Sequence, residues 1–143
     1  MKPDYHTFFE AFVDSYNQSL TGKLDIDLIR SFYADTFLAA GPETLSTKKN
    51  GFFFSIILKK GYAFYKKIGT KQLRIKKLAV TAIDYFHDMV KVQYNANYIK
   101  NTGETVSMDF DITYFVQHPE DVPKIFGFVA GDEMKMYREA GLI

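Results

Sequence analysis

The hydrophobic period of this chain changes once, at Gly69, and that change limits the folds open to it. Before Gly69 the apolar residues recur every three or four positions, the spacing of helices buried along one stripe. After it they alternate, and β-branched and aromatic residues take over, as in strands with one face buried. Helices followed by strands, with no linker or repeat between them, predict one segregated α+β domain over residues 1–143.

In the helical part, Asp4 is placed to cap a helix whose stripe is Phe8, Phe9, Phe12, Val13, Tyr16 and Leu20, stopped by Thr21-Gly22. A shorter helix is expected from Asp25 or Asp27, burying Ile29, Phe32 and Tyr33 and ending near Asp35. A brief strand over 36–40 follows, closed by Gly41-Pro42. The third helix, about 50–68, carries Phe53, Phe54, Ile57, Leu58, Phe64, Tyr65 and Ile68 on its apolar side. Gly61 inside it is unfavourable by about 1 kcal/mol relative to Ala, which suggests a close contact or a bend.

Strands are then expected over 73–84, 89–99, 104–117 and 124–130, with a proline-rich loop at 118–123 and a last helix capped by Asp132 and ended by Gly141. The Asn101-Thr102-Gly103 turn fixes the register of its hairpin, because facing residue numbers then sum to 204. Tyr98 faces Val106, Ala96 faces Met108, Tyr94 faces Phe110 and Val92 faces Ile112. The opposite face pairs Asn97 with Ser107, Asn95 with Asp109, Gln93 with Asp111 and Lys91 with Thr113. One face is therefore core and the other polar.

Composition removes several chemistries. No cysteine means no disulfide, thiol catalysis or thiolate metal site, in keeping with a reducing, cytoplasmic setting. No apolar stretch approaches the ~20 residues of a membrane helix, and no secretory signal is visible. The net charge of +1 divides into −4 over residues 1–43, +10 over 48–77 and −5 over 84–143. The basic block, interleaved with Tyr62, Phe64 and Tyr65, imitates a nucleic-acid surface. The helical period turns most of those aromatics inward, so a solvated face is expected and nucleic acid is not.

The segment Ser31-Phe-Tyr-Ala-Asp-Thr-Phe-Leu-Ala-Ala-Gly-Pro42 resembles the second-helix-to-first-strand passage of the nuclear transport factor 2 superfamily, including its ketosteroid isomerase-like and SnoaL-like domains. The Gly22-Lys-Leu-Asp25 junction, the closing hairpins and the ending Lys124-Ile-Phe-Gly-Phe-Val-Ala-Gly-Asp-Glu133 agree with it, so the resemblance spans nearly the whole chain. It implies a cystatin-like cone: a curved antiparallel sheet wrapped around the N-terminal helices and enclosing a pocket. The same fold hosts enzymes and non-catalytic binders, so it does not assign an activity.

The resemblance places Tyr16 within a residue of the hydrogen-bonding tyrosine of the isomerases. Their base position falls on Gly41, which offers no carboxylate. Simple alignment sets Asp111 at their second acid, yet the hairpin register turns Asp111 to the polar face, so a steroid-isomerase mechanism is not expected. Asp35 matches a recurrent aspartate of the family, and binding turn amides is its expected task. His6, His87 and His118 have no ligand spacing and are expected on the surface or in loops, so no metal or other cofactor is expected. The cone would be lined by Phe12, Tyr16, Phe54 and Leu58 from helices, and by Tyr33, Tyr94, Met108, Ile112, Tyr114 and Phe128 from strands. Its expected occupant is a small hydrophobic or aromatic molecule. If there is catalysis, acid–base chemistry on a carbonyl compound with Tyr16 as donor is expected. The alternative is a non-catalytic dimeric binding or scaffolding domain with a plugged cone. The polar face, with Lys91, Gln93, Asn95, Asp109 and Asp111, is the candidate homodimer contact.

Overall fold

The computed structural model of the chain describes residues 2–143. Asp4 accepts the Thr7 amide and opens α1 (Tyr5–Thr21), and Asp25 accepts the Leu28 amide and opens α2 (Ile26–Ser31). β1 (Tyr33–Ala40) and β2 (Leu45–Lys49) form a hairpin before α3 (Phe52–Lys67). Then come β3 (Thr70–Ala82), β4 (His87–Ile99), β5 (Thr105–Gln117), β6 (Lys124–Ala130) and α4 (Glu133–Glu139). The six strands make one curved, unclosed sheet in the order β2-β1-β6-β5-β4-β3, so the expected α+β cone is what the chain builds.

The β4–β5 register follows the sum of 204 along its whole length, from Ile99 opposite Thr105 to His87 opposite Gln117. Val90, Val92, Tyr94, Ala96 and Tyr98 are consequently buried together against Phe9 and Val13 of α1. Asn17 anchors α1 to β3 by both ends of its amide: Nδ2 donates to the Leu73 carbonyl and Oδ1 accepts the Leu73 amide, each at 2.8 Å. A second knot is Asn50, which donates to the carbonyls of Arg30 and Tyr33 and accepts from the Arg30 guanidinium. It holds the end of α2, the start of β1 and the approach to α3 in one place.

Five expectations need correction. Tyr33 is not helical: α2 ends at Ser31, and β1 begins as soon as the Phe32 carbonyl accepts the Ile125 amide at 2.8 Å. β2 escaped notice because five half-polar residues on an edge bury almost nothing. The sheet is not wholly antiparallel, since β1 runs parallel to β6, a pairing between distant segments that no local pattern announces. On α3 the buried stripe is displaced from the one expected: Phe53 is 79% exposed, whereas Phe54 and Tyr62 are buried. Gly61 makes no close contact, for nothing lies within 4 Å of where its Cβ would be.

The basic block also finds its place. Lys48 and Lys49 lie on β2, Lys59, Lys60, Lys66 and Lys67 on α3, and Lys71, Arg74, Lys76 and Lys77 on β3. β2 and β3 are the two sheet edges, where charged side chains oppose pairing with another chain's strand. The block is thus shared between edge protection and a solvated helix face.

Candidate functional site

Between α1, α3, α4 and the concave face of the sheet lies a cavity of about 260 Å3, just under the ~300 Å3 lower end of pockets for drug-sized ligands. Each wall follows from an element already placed. From α1 come Phe12 and Tyr16, one helical turn apart, set by the Asn17 clamp. From β1 come Tyr33, Phe37 and Ala39, which share one strand face, with Tyr33 fixed by the Asn50 knot. From α3 come Phe54, Leu58, Gly61, Tyr62 and Tyr65, spaced along one side of the helix. From β4 and β5 come Tyr94 and Tyr98, and Phe110, Ile112 and Tyr114. Phe128 closes the wall on β6, and Glu133 and Tyr137 close it on α4.

Of the ten residues expected to line the cone, nine reach this cavity, and Met108 does not. Met108 packs against the core instead, and its place on the wall is taken by Phe110, whose ring lies 5.4 Å from that of Tyr94. Asp111 points to the outer face, 3.6 Å from Lys91. Asp109 and Asn95 hydrogen-bond each other there, with Lys76 on Asp109 and Arg74 on Asn95. Asn95, Asp109, Lys91 and Asp111 of that face are therefore partnered within one chain.

Tyr33 packs against Phe37 and Phe54, and the other seven phenols of the wall occupy three groups. Tyr94 and Tyr114 hydroxyls meet at 2.7 Å, buried. The Tyr98 and Tyr137 rings lie with centroids 6.1 Å apart, and burial pushes Tyr98 up to about 12, against a lowering by the Tyr137 hydroxyl. Tyr16, Tyr62 and Tyr65 form a triad with centroids 5.3–5.7 Å apart. Burial raises all three, so they stay protonated at neutral pH as hydrogen-bond donors.

Glu133 is the functional group that sequence reasoning missed. It is the only carboxyl on the cavity wall among the described residues, and it also faces the shallow groove that adjoins the cavity beside Gly41 and Gly61. Burial raises its pKa, and its charge in turn adds to the raised values of Tyr16, Tyr65, Tyr98 and Tyr137. The available signal was its position, in the first turn behind an Asp132 cap that follows directly on a strand of the cone. The other charge on the wall is Lys48 of β2.

Outside the cavity, His118 lies in the loop after β5, as expected, but buried there at 2% exposure, with Nε2 3.1 Å from the fully buried Asp88 carboxylate. His6 is exposed, and half-buried His87 pairs with Asp84 at 2.8 Å. Among the described residues no three His, Asp or Glu side chains converge as a metal site would require.

No family model matches the chain, and no curated protein sequence matches it. Solved structures do resemble it. An NTF2-like protein of unknown function from Shewanella oneidensis superposes with a TM-score of 0.66 at 14% identity, over 90% of this chain and 96% of that one. An NTF2-like protein with a cystatin-like fold from Novosphingobium aromaticivorans gives 0.68 at 8% identity, over 97% and 86%. A ketosteroid isomerase-like protein from Erwinia carotovora gives 0.59 at 12% identity, over 88% and 91%. The fold is the cystatin-like, NTF2-like cone, and at such identities the likeness carries the fold alone.

Proposed function

We propose that this chain is a small-molecule binding protein whose cone holds a hydrophobic or aromatic ligand. The observation that carries the proposal is the open space itself, walled mostly by phenyl and phenol rings at the place where a plugged cone would be filled by side chains. Rigid aromatic walls with a few convergent polar groups are how small ligands are held and oriented. Tyr16 supplies one of those polar groups, a protonated phenol able to donate to an acceptor on the ligand.

Gly61 provides the test. It lies on the walls of both the cavity and the adjoining groove, and a Cβ there would meet nothing within 4 Å. Gly61→Ala is expected to stabilise the protein by about 1 kcal/mol through helix propensity. Gly61→Leu is expected to fold as well and to weaken binding of the neutral fluorescent probe N-phenyl-1-naphthylamine at least tenfold, because leucine occupies the space the probe needs. Unchanged probe affinity in a folded Gly61→Leu protein would remove the cavity from consideration.

We further propose that two copies associate through the outer face of the sheet. Next to its polar pairs that face carries Met89, Phe115 and Phe126, half-buried and directed away from the core, beside exposed Leu38 and Val129. An apolar centre with a polar surround is the usual plan of a two-fold contact. Light scattering at tens of micromolar is expected to give twice the chain mass, reduced to the single mass by Phe115→Asp. A single mass for the unmodified protein defeats the idea.

A further inference from the structure

Resting on the cavity as the ligand site, we infer that its occupant carries a positively charged ammonium group, quaternary or protonated, on an apolar body, and that Glu133 and the surrounding phenol rings recognise it. Glu133 comes from α4 into a wall of apolar and phenolic groups, and among the described residues it has no ion-pair partner. A carboxylate partly withdrawn from water, as half-buried Glu133 is, gains from a compensating cation or shifts toward its neutral form. Among the described residues no cation lies within ion-pair distance of it, although Lys48 stands elsewhere on the same wall. The groups that feel the charge of Glu133 are Tyr16 of α1, Tyr65 of α3, Tyr94 and Tyr98 of β4, Tyr114 of β5 and Tyr137 of its own helix, all neutral phenols.

The rings strengthen the case. Ring faces carry negative potential and attract ammonium groups within about 6 Å of the centroid. Here the Tyr16, Tyr62 and Tyr65 triad, with centroids 5.3–5.7 Å apart, forms part of the same wall as the carboxyl. Cations near the site are few and set apart. Lys48 faces Phe37 in the β1–β2 register, three residues or about 10 Å back from the Ala40 end of β1. That end lies beside Val129, whereas Glu133 follows beyond the end of β6. Lys60 is exposed on the outer groove. Asp132, the adjacent acid, is engaged in capping α4 through the Lys135 amide.

Burial raises the Glu133 carboxyl, and a fixed positive charge beside it reverses the shift, so binding of a quaternary ammonium compound releases protons. The probes are phenyltrimethylammonium and its uncharged isostere tert-butylbenzene, titrated by tyrosine fluorescence, which no tryptophan obscures, and by calorimetry at a series of pH values from 5 to 8 in two buffers of different ionisation heat, with proton release read at its maximum along that series. The cation is expected to bind at least tenfold more tightly than the isostere and to release protons. Glu133→Gln is expected to abolish the proton release and bring the two affinities together, while Tyr65→Leu weakens only the cation. In the ligand-free protein the folded carboxyl titrates above its ordinary 4.5, so stability falls as pH rises from there through the folded value. Glu133→Gln is therefore expected to raise Tm at pH 8 and leave it unchanged at pH 4. Equal affinities of the two probes in the unmodified protein overturn the ammonium inference and leave the apolar cavity standing. If neither probe binds the folded protein, both fall together.

Discussion

Asp88→Ala is expected to lower stability by about 3–5 kcal/mol, the loss seen when one partner of a buried charged cluster is removed. Asp88 is fully buried at the start of β4 and accepts from Lys2 at 2.7 Å and from the Tyr5 hydroxyl at 2.6 Å, with His118 Nε2 at 3.1 Å. These donors come from the N-terminal segment, from α1 and from the loop after β5. The carboxylate is thus the point where three separate parts of the chain meet. Its removal leaves a buried phenol and a buried imidazole without their acceptor, and alanine fills none of the space. Lys2→Ala is expected to cost much less, since the ammonium is 42% exposed and water replaces its partner. Chemical denaturation of the two variants side by side checks the order, and equal losses would show that the buried pairs contribute nothing beyond the exposed one.

The same cluster sets an acid limit. Burial alone would raise the Asp88 carboxyl, but hydrogen bonds from Lys2 and Tyr5, with the charges of Lys2 and His118, outweigh it and hold it below the usual value of 3.8. Its contribution is complete above that value and is lost as pH falls through the folded one. Glu133 acts in the opposite direction, and its stabilising contribution is lost as pH rises. Asp88→Asn is accordingly expected to lose most of the acid-side decline in Tm while keeping the side-chain shape.

What the sequence made legible was whatever local geometry determines. A three-residue turn and a strict period of two fixed the β4–β5 register, and with it the outward direction of Asp111, to the residue. Helix caps at Asp4, Asp25 and Asp132 were equally local. Features that depend on distant segments were not legible. The parallel β1–β6 pair joins residues about ninety positions apart, and the burial of His118 requires Asp88 from another strand. Glu133 was hidden for a related reason: an acid in the first turn of a helix is ordinary on its own, and only the return of α4 over the cone turns it into a desolvated group. The α3 stripe was misjudged because four apolar residues, Phe52 to Phe54 and Ile56, crowd its start, so periodicity alone did not choose the buried face.

The junction of α3 with the sheet predicts the largest single loss. Gly69 has φ +90°, and a Cβ there would lie 2.1 Å from the Ile99 carbonyl oxygen and 3.1 Å from its carbon. Both obstacles are backbone, so no rotamer change relieves them, and β4 must move away from the start of β3. Gly69→Ala is expected to lose more than about 4 kcal/mol, a large share of the 5–15 kcal/mol that holds a domain together. Gly103 is the control, because its φ is +89° but nothing lies within 4 Å of its Cβ position. Gly103→Ala carries only the backbone term of about 1–2 kcal/mol. Urea midpoints of the two variants separate the steric clash from the dihedral, and similar shifts would mean that the sheet yields at Ile99 at little cost. The clash bears directly on the cone. Gly69 joins the helix carrying Tyr62 and Tyr65 to β3, and its carbonyl, by accepting the Ile99 amide at 2.9 Å, ties that joint to β4, the strand carrying Tyr94 and Tyr98. Displacing this joint separates two walls of the cavity, so, if the cavity is the binding site proposed above, any folded fraction of Gly69→Ala is expected to lose probe binding as well, whereas Gly103→Ala retains it.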